Sequence, residues 1–162
     1  MAKQKEEKTN VMRVLEQKGI PYSAHTYEHE EGVAVDGVTV ANMLGQDPEQ
    51  VFKTLVARGA SKGIYVFVIP VADSLDLKKA ARAVGEKSIE MVAVKEINAL
   101  TGYIRGGCSP VGMKKQYPTV FHETAEIIDT IMVSAGKIGA QVELEPQALM
   151  ELVDGELADI VV

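Results

Sequence analysis

The chain has 162 residues, 46% hydrophobic and 25% charged, the size and makeup of one soluble domain that buries roughly two thirds of its unfolded surface. One cysteine, no tryptophan, three phenylalanines and five tyrosines exclude an internal disulfide, a thiolate-rich zinc site and a broad aromatic platform for single-stranded bases. The net charge of −6 argues against a phosphate-bearing partner, but six acids and no Lys or Arg lie beyond residue 137, so the preceding part balances 17 acids against 17 bases.

Residues 1–10 read as a flexible tail and residues 11–162 as a single domain. The opening "MAKQKEEKTN" is polar with no signal-peptide core after it, and no apolar run nears the ~20 residues that span a bilayer. A cytoplasmic protein with no membrane partner is expected. Thr9 or Asn10 caps a short amphipathic helix, "VMRVLEQKG", closed by Gly19. "PYSAHTYEH" alternates as a half-buried strand, with Tyr22, Ala24 and Thr26 on one side and His25, Tyr27 and His29 on the other.

"GVTVANMLG" predicts a helix ending at Gly45, and "DPEQVF" a single helical turn capped by Asp47. "KTLVARG" and "IYVFVIPV" form a hairpin across "ASKG". "SLDLKKAARAVG" and "KEINALTG" are helices closed by Gly85 and Gly102. "TVFHET", "TIMVSAG" and "AQVELE" are strands, the last two joined by the "SAGKIG" turn. Pro146 opens a final helix, "PQALMELVDG". Hairpins with helices inserted between them indicate an α+β fold with a curved or closed sheet.

Four places carry candidate chemistry. Cys108, in "TGYIRGGCSPVGMKK", is either a nucleophile or a small buried hydrophobe; no histidine neighbours it in sequence to make the thiolate. His25 and His29 share a strand face but lack a third ligand at any metal-site spacing, so no metal is assigned. Lys53 shares a face with Val51, Leu55 and Ala57, where lysine is rare; either its stem packs there while the ammonium snorkels out, or the ammonium enters a cavity and holds an anionic group. The Gly106-Gly107 pair either serves only as a turn or presents bare N–H groups to an acyl carbonyl. "VSAGKIG" is a second glycine turn, with Ser134 and Lys137.

In order, "HTYEHE", "VFKTLV", "LDLKKAARAVG", "TGYIRGGCSPVGMKK" and "VSAGKIGAQVEL" resemble the YbaK/EbsC family of Cys-tRNA(Pro) deacylases, related to the editing domain of some prolyl-tRNA synthetases. The resemblance runs from about residue 11 onward. It implies a mostly antiparallel, six- or seven-stranded closed barrel with flanking helices. It also implies hydrolysis of a wrong amino acid from tRNA, with no cofactor and no DNA partner.

Carried onto this chain, the resemblance makes Lys53 the essential lysine, gripping the phosphate or ribose of the terminal adenosine, and sets Gly106 and Gly107 against the ester carbonyl. Tyr27, Thr54, Ser109, Ser134, Gly136 and Gln141 are then expected in the substrate pocket; independently of the resemblance, Arg105, Lys114 and Lys115 cluster around the glycine stretch as a local basic mouth for the RNA, with Lys137 in the second glycine turn. The attacking group is then the substrate cysteine's own thiol. The chain departs from the family's pattern in four places. Gln141 stands where Asp is frequent, Ala135 replaces a turn glycine, and "EEGVAVDG" lacks an aromatic residue. Cys108 occupies a place usually aliphatic.

Besides a Cys-tRNA(Pro) deacylase acting in trans, two readings are open: a deacylase for alanine or proline on tRNA that uses water, and a non-catalytic module binding aminoacyl-tRNA or a synthetase. Prolyl-tRNA synthetase is the protein partner the resemblance raises.

Overall fold

The Thr9 hydroxyl accepts the Met12 N–H at 3.2 Å and starts α1, Asn10–Gln17, whose apolar stripe Val11, Met12 and Leu15 is buried. The computed structural model describes residues 8–162; most of the proposed tail, residues 1–7, lies outside the described residues. After Gly19 the chain enters β1, Tyr22–Thr26. Asp36 then caps α2, Gly37–Met43, accepting the Val38 and Thr39 amides. The Asp47 turn is present, with Glu49 N–H on the Asp47 carboxylate at 2.9 Å.

The predicted hairpin is β2, Phe52–Gly59, and β3, Ile64–Pro70, antiparallel in the register Phe52 to Pro70 through Arg58 to Ile64. Asp76 caps α3, Leu77–Val84, and Gly85 closes it at φ +74°. A short strand follows, β4, Ile89–Met91, and then α4, Val94–Thr101, closed by Gly102. Beyond the glycine-rich loop lie β5, Thr119–His122, a 3₁₀ turn, Glu123–Glu126, and the hairpin β6, Ile131–Ser134, with β7, Ala140–Leu144. Pro146 opens α5, Pro146–Val153, and the chain ends past β8, Glu156–Ala158.

The α+β class stands, but the closed barrel does not form. The strands make two sheets, a three-stranded β1-β7-β6 and a five-stranded β4-β2-β3-β5-β8. They meet at one bridge, Val51 with Met132, secured by the Met132 N–H on the Gln50 carbonyl at 2.9 Å. Helices cover the sheets in place of further strand pairing. Val11 and Leu15 of α1 and Leu149 and Val153 of α5 share one core with Val133, Val142, Phe121 and Val68. Apolar sheet faces covered this way need no closure to leave water.

Eight strands are present among the described residues, against the six or seven expected. β4 and β8 have three residues each, too short for an alternation to register. The hairpin reading also had no parallel pairs. β5 lies parallel to β3 and to β8, each pair joined by a long crossover of the kind parallel neighbours require.

Candidate functional site

A cleft of about 740 Å³ opens where the two sheets meet, within the size range of pockets that enclose small molecules. β2 supplies one wall. Lys53 enters the strand on the same face as Val51 and Leu55, and all three line the cleft. The residue is half-buried, and its Nζ donates to the Val71 carbonyl at 3.3 Å. One neutral acceptor leaves most of an ammonium's donor capacity available. Beside it, Thr54 lines the cleft with a buried Oγ1 that has no hydrogen-bond partner.

The β6–β7 hairpin brings Ser134 and Gln141 opposite each other across the ladder. Both are buried and line the cleft. Ser134 Oγ accepts the Gly136 N–H at 3.1 Å, tying its own turn, whereas Gln141 Oε1 has no partner. Unsatisfied buried oxygens cost roughly 1–3 kcal/mol each, and two of the three among the described residues, those of Thr54 and Gln141, belong to residues of the cleft wall, the third being Thr124 Oγ1 outside it. Tyr27, just past β1, is held by its N–H on the Gly139 carbonyl at 2.9 Å and forms part of the wall.

The glycine-rich loop contributes Arg105, Gly106 and Cys108 to the cleft. Gly106 has φ +85°, and a Cβ there would lie 2.6 Å from the Ala34 Cβ, so glycine is required on both counts. Its N–H makes no hydrogen bond to other described residues. Gly107 differs. It is buried, its N–H already donates to the Ile104 carbonyl at 3.0 Å, and a Cβ would meet the backbone of Lys137 and Ile138 at 2.9–3.0 Å. It locks this loop to the β6–β7 turn and does not line the cleft.

Other expected site positions also lie off the cleft wall. Ser109 is buried with its Oγ accepting the Val111 N–H at 3.3 Å. Gly136, at φ +99°, packs against Tyr103 and Val11. Lys114, Lys115 and Lys137 are exposed outside the cleft, the Lys114 stem lying against Gly102.

The chain's thiol is not set up to attack. Burial pushes Cys108 up to about 11, with a Thr101 hydrogen bond opposing the shift. The three histidines lie outside the cleft: His25 bonds Glu143 at 2.9 Å, His29 bonds the Glu30 carbonyl, and His122 is buried with Nδ1 near the Ile160 N–H.

Sequence reasoning passed over one charged wall residue, Asp36, together with an apolar group from β4 and α4 that includes Met91, Val94 and Ile97. The N-cap position of Asp36 before "GVTVANMLG" was the available signal.

The cleft thus brings together the Lys53 ammonium, the unpartnered oxygens of Thr54 and Gln141 and the Gly106 loop, with Cys108 on its wall and no histidine there. The aminoacyl-tRNA editing domain model matches residues 32–152, and the chain belongs to that family. It is 48% identical over 161 residues, 99% of this chain and 98% of the relative, to the Enterococcus faecalis protein named "Putative Cys-tRNA(Pro)/Cys-tRNA(Cys) deacylase EbsC". Among solved structures it is similar to "a putative trans-editing enzyme for prolyl tRNA synthetase", at TM-score 0.80 and 26% identity over 94% of both chains. A hypothetical protein of known structure shares the fold at TM-score 0.83 and 22% identity, over 94% of this chain and 99% of its own.

Proposed function

We propose that this protein is a deacylase acting in trans that removes cysteine mischarged onto tRNA(Pro), with the bound cysteine's own thiol as nucleophile. The observation that carries this reading is the cleft itself: polar groups for holding an aminoacylated adenosine converge there, while the chain's only thiol is held protonated and no histidine reaches it. The need is physical. Cysteine and proline are close in size, and an apolar pocket separates side chains differing by one methylene by only ~1–3 kcal/mol. A second site must then clear the error.

In this scheme Lys53 grips the ribose or phosphate of the terminal adenosine, Thr54, Ser134 and Gln141 bind polar groups of the aminoacyl end, and Tyr27 closes the wall. The Gly106 N–H donates to the ester carbonyl oxygen. The Gly107 N–H is spent within its own turn, so that glycine acts by holding the loop. The substrate thiol attacks the ester carbon; the C–S bond forms, the C–O bond to the ribose breaks, and the thiol proton passes to the departing 3′-oxygen. The products are a cysteine thiolactone and free tRNA. Folding substrate into attack geometry can supply roughly 7–11 kcal/mol of the barrier. Arg105 meets the incoming RNA at the cleft, with Lys114, Lys115 and Lys137 as outer contacts. Prolyl-tRNA synthetase is the proposed source of the tRNA, in the cytoplasm.

A panel of Cys-, Ala- and Pro-tRNA tests the reading. Release of cysteine well ahead of the other two is expected; faster release of alanine would replace thiol attack with water attack, and binding without turnover would leave a non-catalytic module.

A further inference from the structure

Resting on the deacylase reading, we infer that Asp36 is the residue that recognises the substrate's α-ammonium and so fixes which way round the aminoacyl group lies. The cleft wall carries three charged side chains, Lys53, Arg105 and Asp36. An aminoacylated adenosine brings one ammonium and, through the preceding phosphate, an anionic end. Two of the three wall charges repel the ammonium. Asp36 alone attracts it, and binding the ester in reverse would set like charges against each other at both ends.

Asp36 is built for that task. The Thr39 hydroxyl donates to its Oδ2 at 2.5 Å, the Thr39 N–H to the same oxygen at 3.2 Å and the Val38 N–H to Oδ1 at 3.3 Å. These donors hold the carboxyl below the usual carboxylate range, Thr39 most strongly, with the Lys53 ammonium adding to the effect. A carboxylate offers about four lone-pair sites, so Oδ1 keeps room for a charged donor. Gly37 packs on the Val71 side chain, the residue whose carbonyl receives Lys53 Nζ. The carboxylate and the ammonium therefore flank one stretch of wall without pairing directly. A ligand with an ammonium at one end and an anionic group at the other is complementary in charge to this pair.

The test uses the full chain and Asp36→Asn, because asparagine caps a helix as well as aspartate does. The probes are cysteine joined by an amide to 3′-amino-3′-deoxyadenosine 5′-phosphate, which does not hydrolyse and keeps the anionic end, and the same compound N-acetylated. The intact protein should bind the free-amine probe at least about tenfold more tightly, as a charge-assisted hydrogen bond would give, and Asp36→Asn should erase that preference. Retention of the preference in Asp36→Asn would overturn the assignment and pass the ammonium to Gln141 Oε1. Equal binding of both probes by the intact protein would also overturn it. Binding of neither probe would instead remove the deacylase reading on which it rests.

Discussion

Replacing Gly106 with alanine tests the glycine loop in two separable ways. At φ +85° an L side chain costs about 1–2 kcal/mol. The new Cβ would also lie 2.6 Å from the Ala34 Cβ, so Ala34 must withdraw by about 0.8 Å to reach ordinary contact. Overpacking costs ~1–3 kcal/mol, and the low end applies because Ala34 is exposed in a loop. The total, about 2–3 kcal/mol, should lower Tm by roughly 5–10 °C in a chain of this size. Ala34→Gly in the same protein removes the 2.6 Å contact and leaves the φ cost and a 3.2 Å approach to the residue-34 Cα, so a double-mutant cycle should show about 1 kcal/mol of coupling. Thermal denaturation and Cys-tRNA deacylation are measured on all four proteins. The rate, sensitive to ~1 Å misplacement by up to a hundredfold, should recover more fully than Tm in the double variant. An unchanged Tm in Gly106→Ala, or complete recovery of Tm by Ala34→Gly, would refute this account of the loop.

Lys53→Met keeps the buried stem and removes the charge; losing a charged hydrogen bond worth ~1.5–3 kcal/mol should cut kcat/KM by about 10- to 150-fold. Its Tm should move little, because the only bond lost within the protein is the 3.3 Å contact to the Val71 carbonyl. Cys108→Ala should deacylate within about twofold of the parent, since the thiol has no nucleophilic role; loss of turnover in the folded variant would sink substrate-assisted attack. The Cys108 pKa rises on folding from 9.0 to about 11. The stability this contributes is fully present below pH 9.0 and lost as pH climbs through about 11. Alkaline melting curves of the parent should therefore fall more steeply than those of Cys108→Ala. Gly107→Ala meets backbone atoms of Lys137 and Ile138 that no rotamer relieves, and should cost about 1–3 kcal/mol by denaturant titration.

Helix ends and hairpins were legible in the sequence because their causes lie within a few residues. Thr9 and Asp76 cap from their own side chains, Gly85 and Gly102 adopt left-handed backbone that other residues resist, and Pro146 starts α5 where its missing N–H costs nothing. Lys53 was conspicuous for the same local reason, a lysine on an apolar strand face, and the order of the motifs was enough to place the family. Tertiary structure decided what depends on distant chain segments. Whether the sheet closed turned on α1 and α5 filling the shared core, and the parallel placement of β5 on crossovers whose course no local pattern encodes. The same holds for the site. Gly106 and Gly107 look alike in sequence, yet one lines the cleft with its amide unpaired among the described residues while the other spends it on Ile104; Asp36 enters the wall because α2 packs on Val71 beside Lys53. Propensity acts over neighbouring residues, whereas which donor is left free is settled by what the rest of the chain has already satisfied.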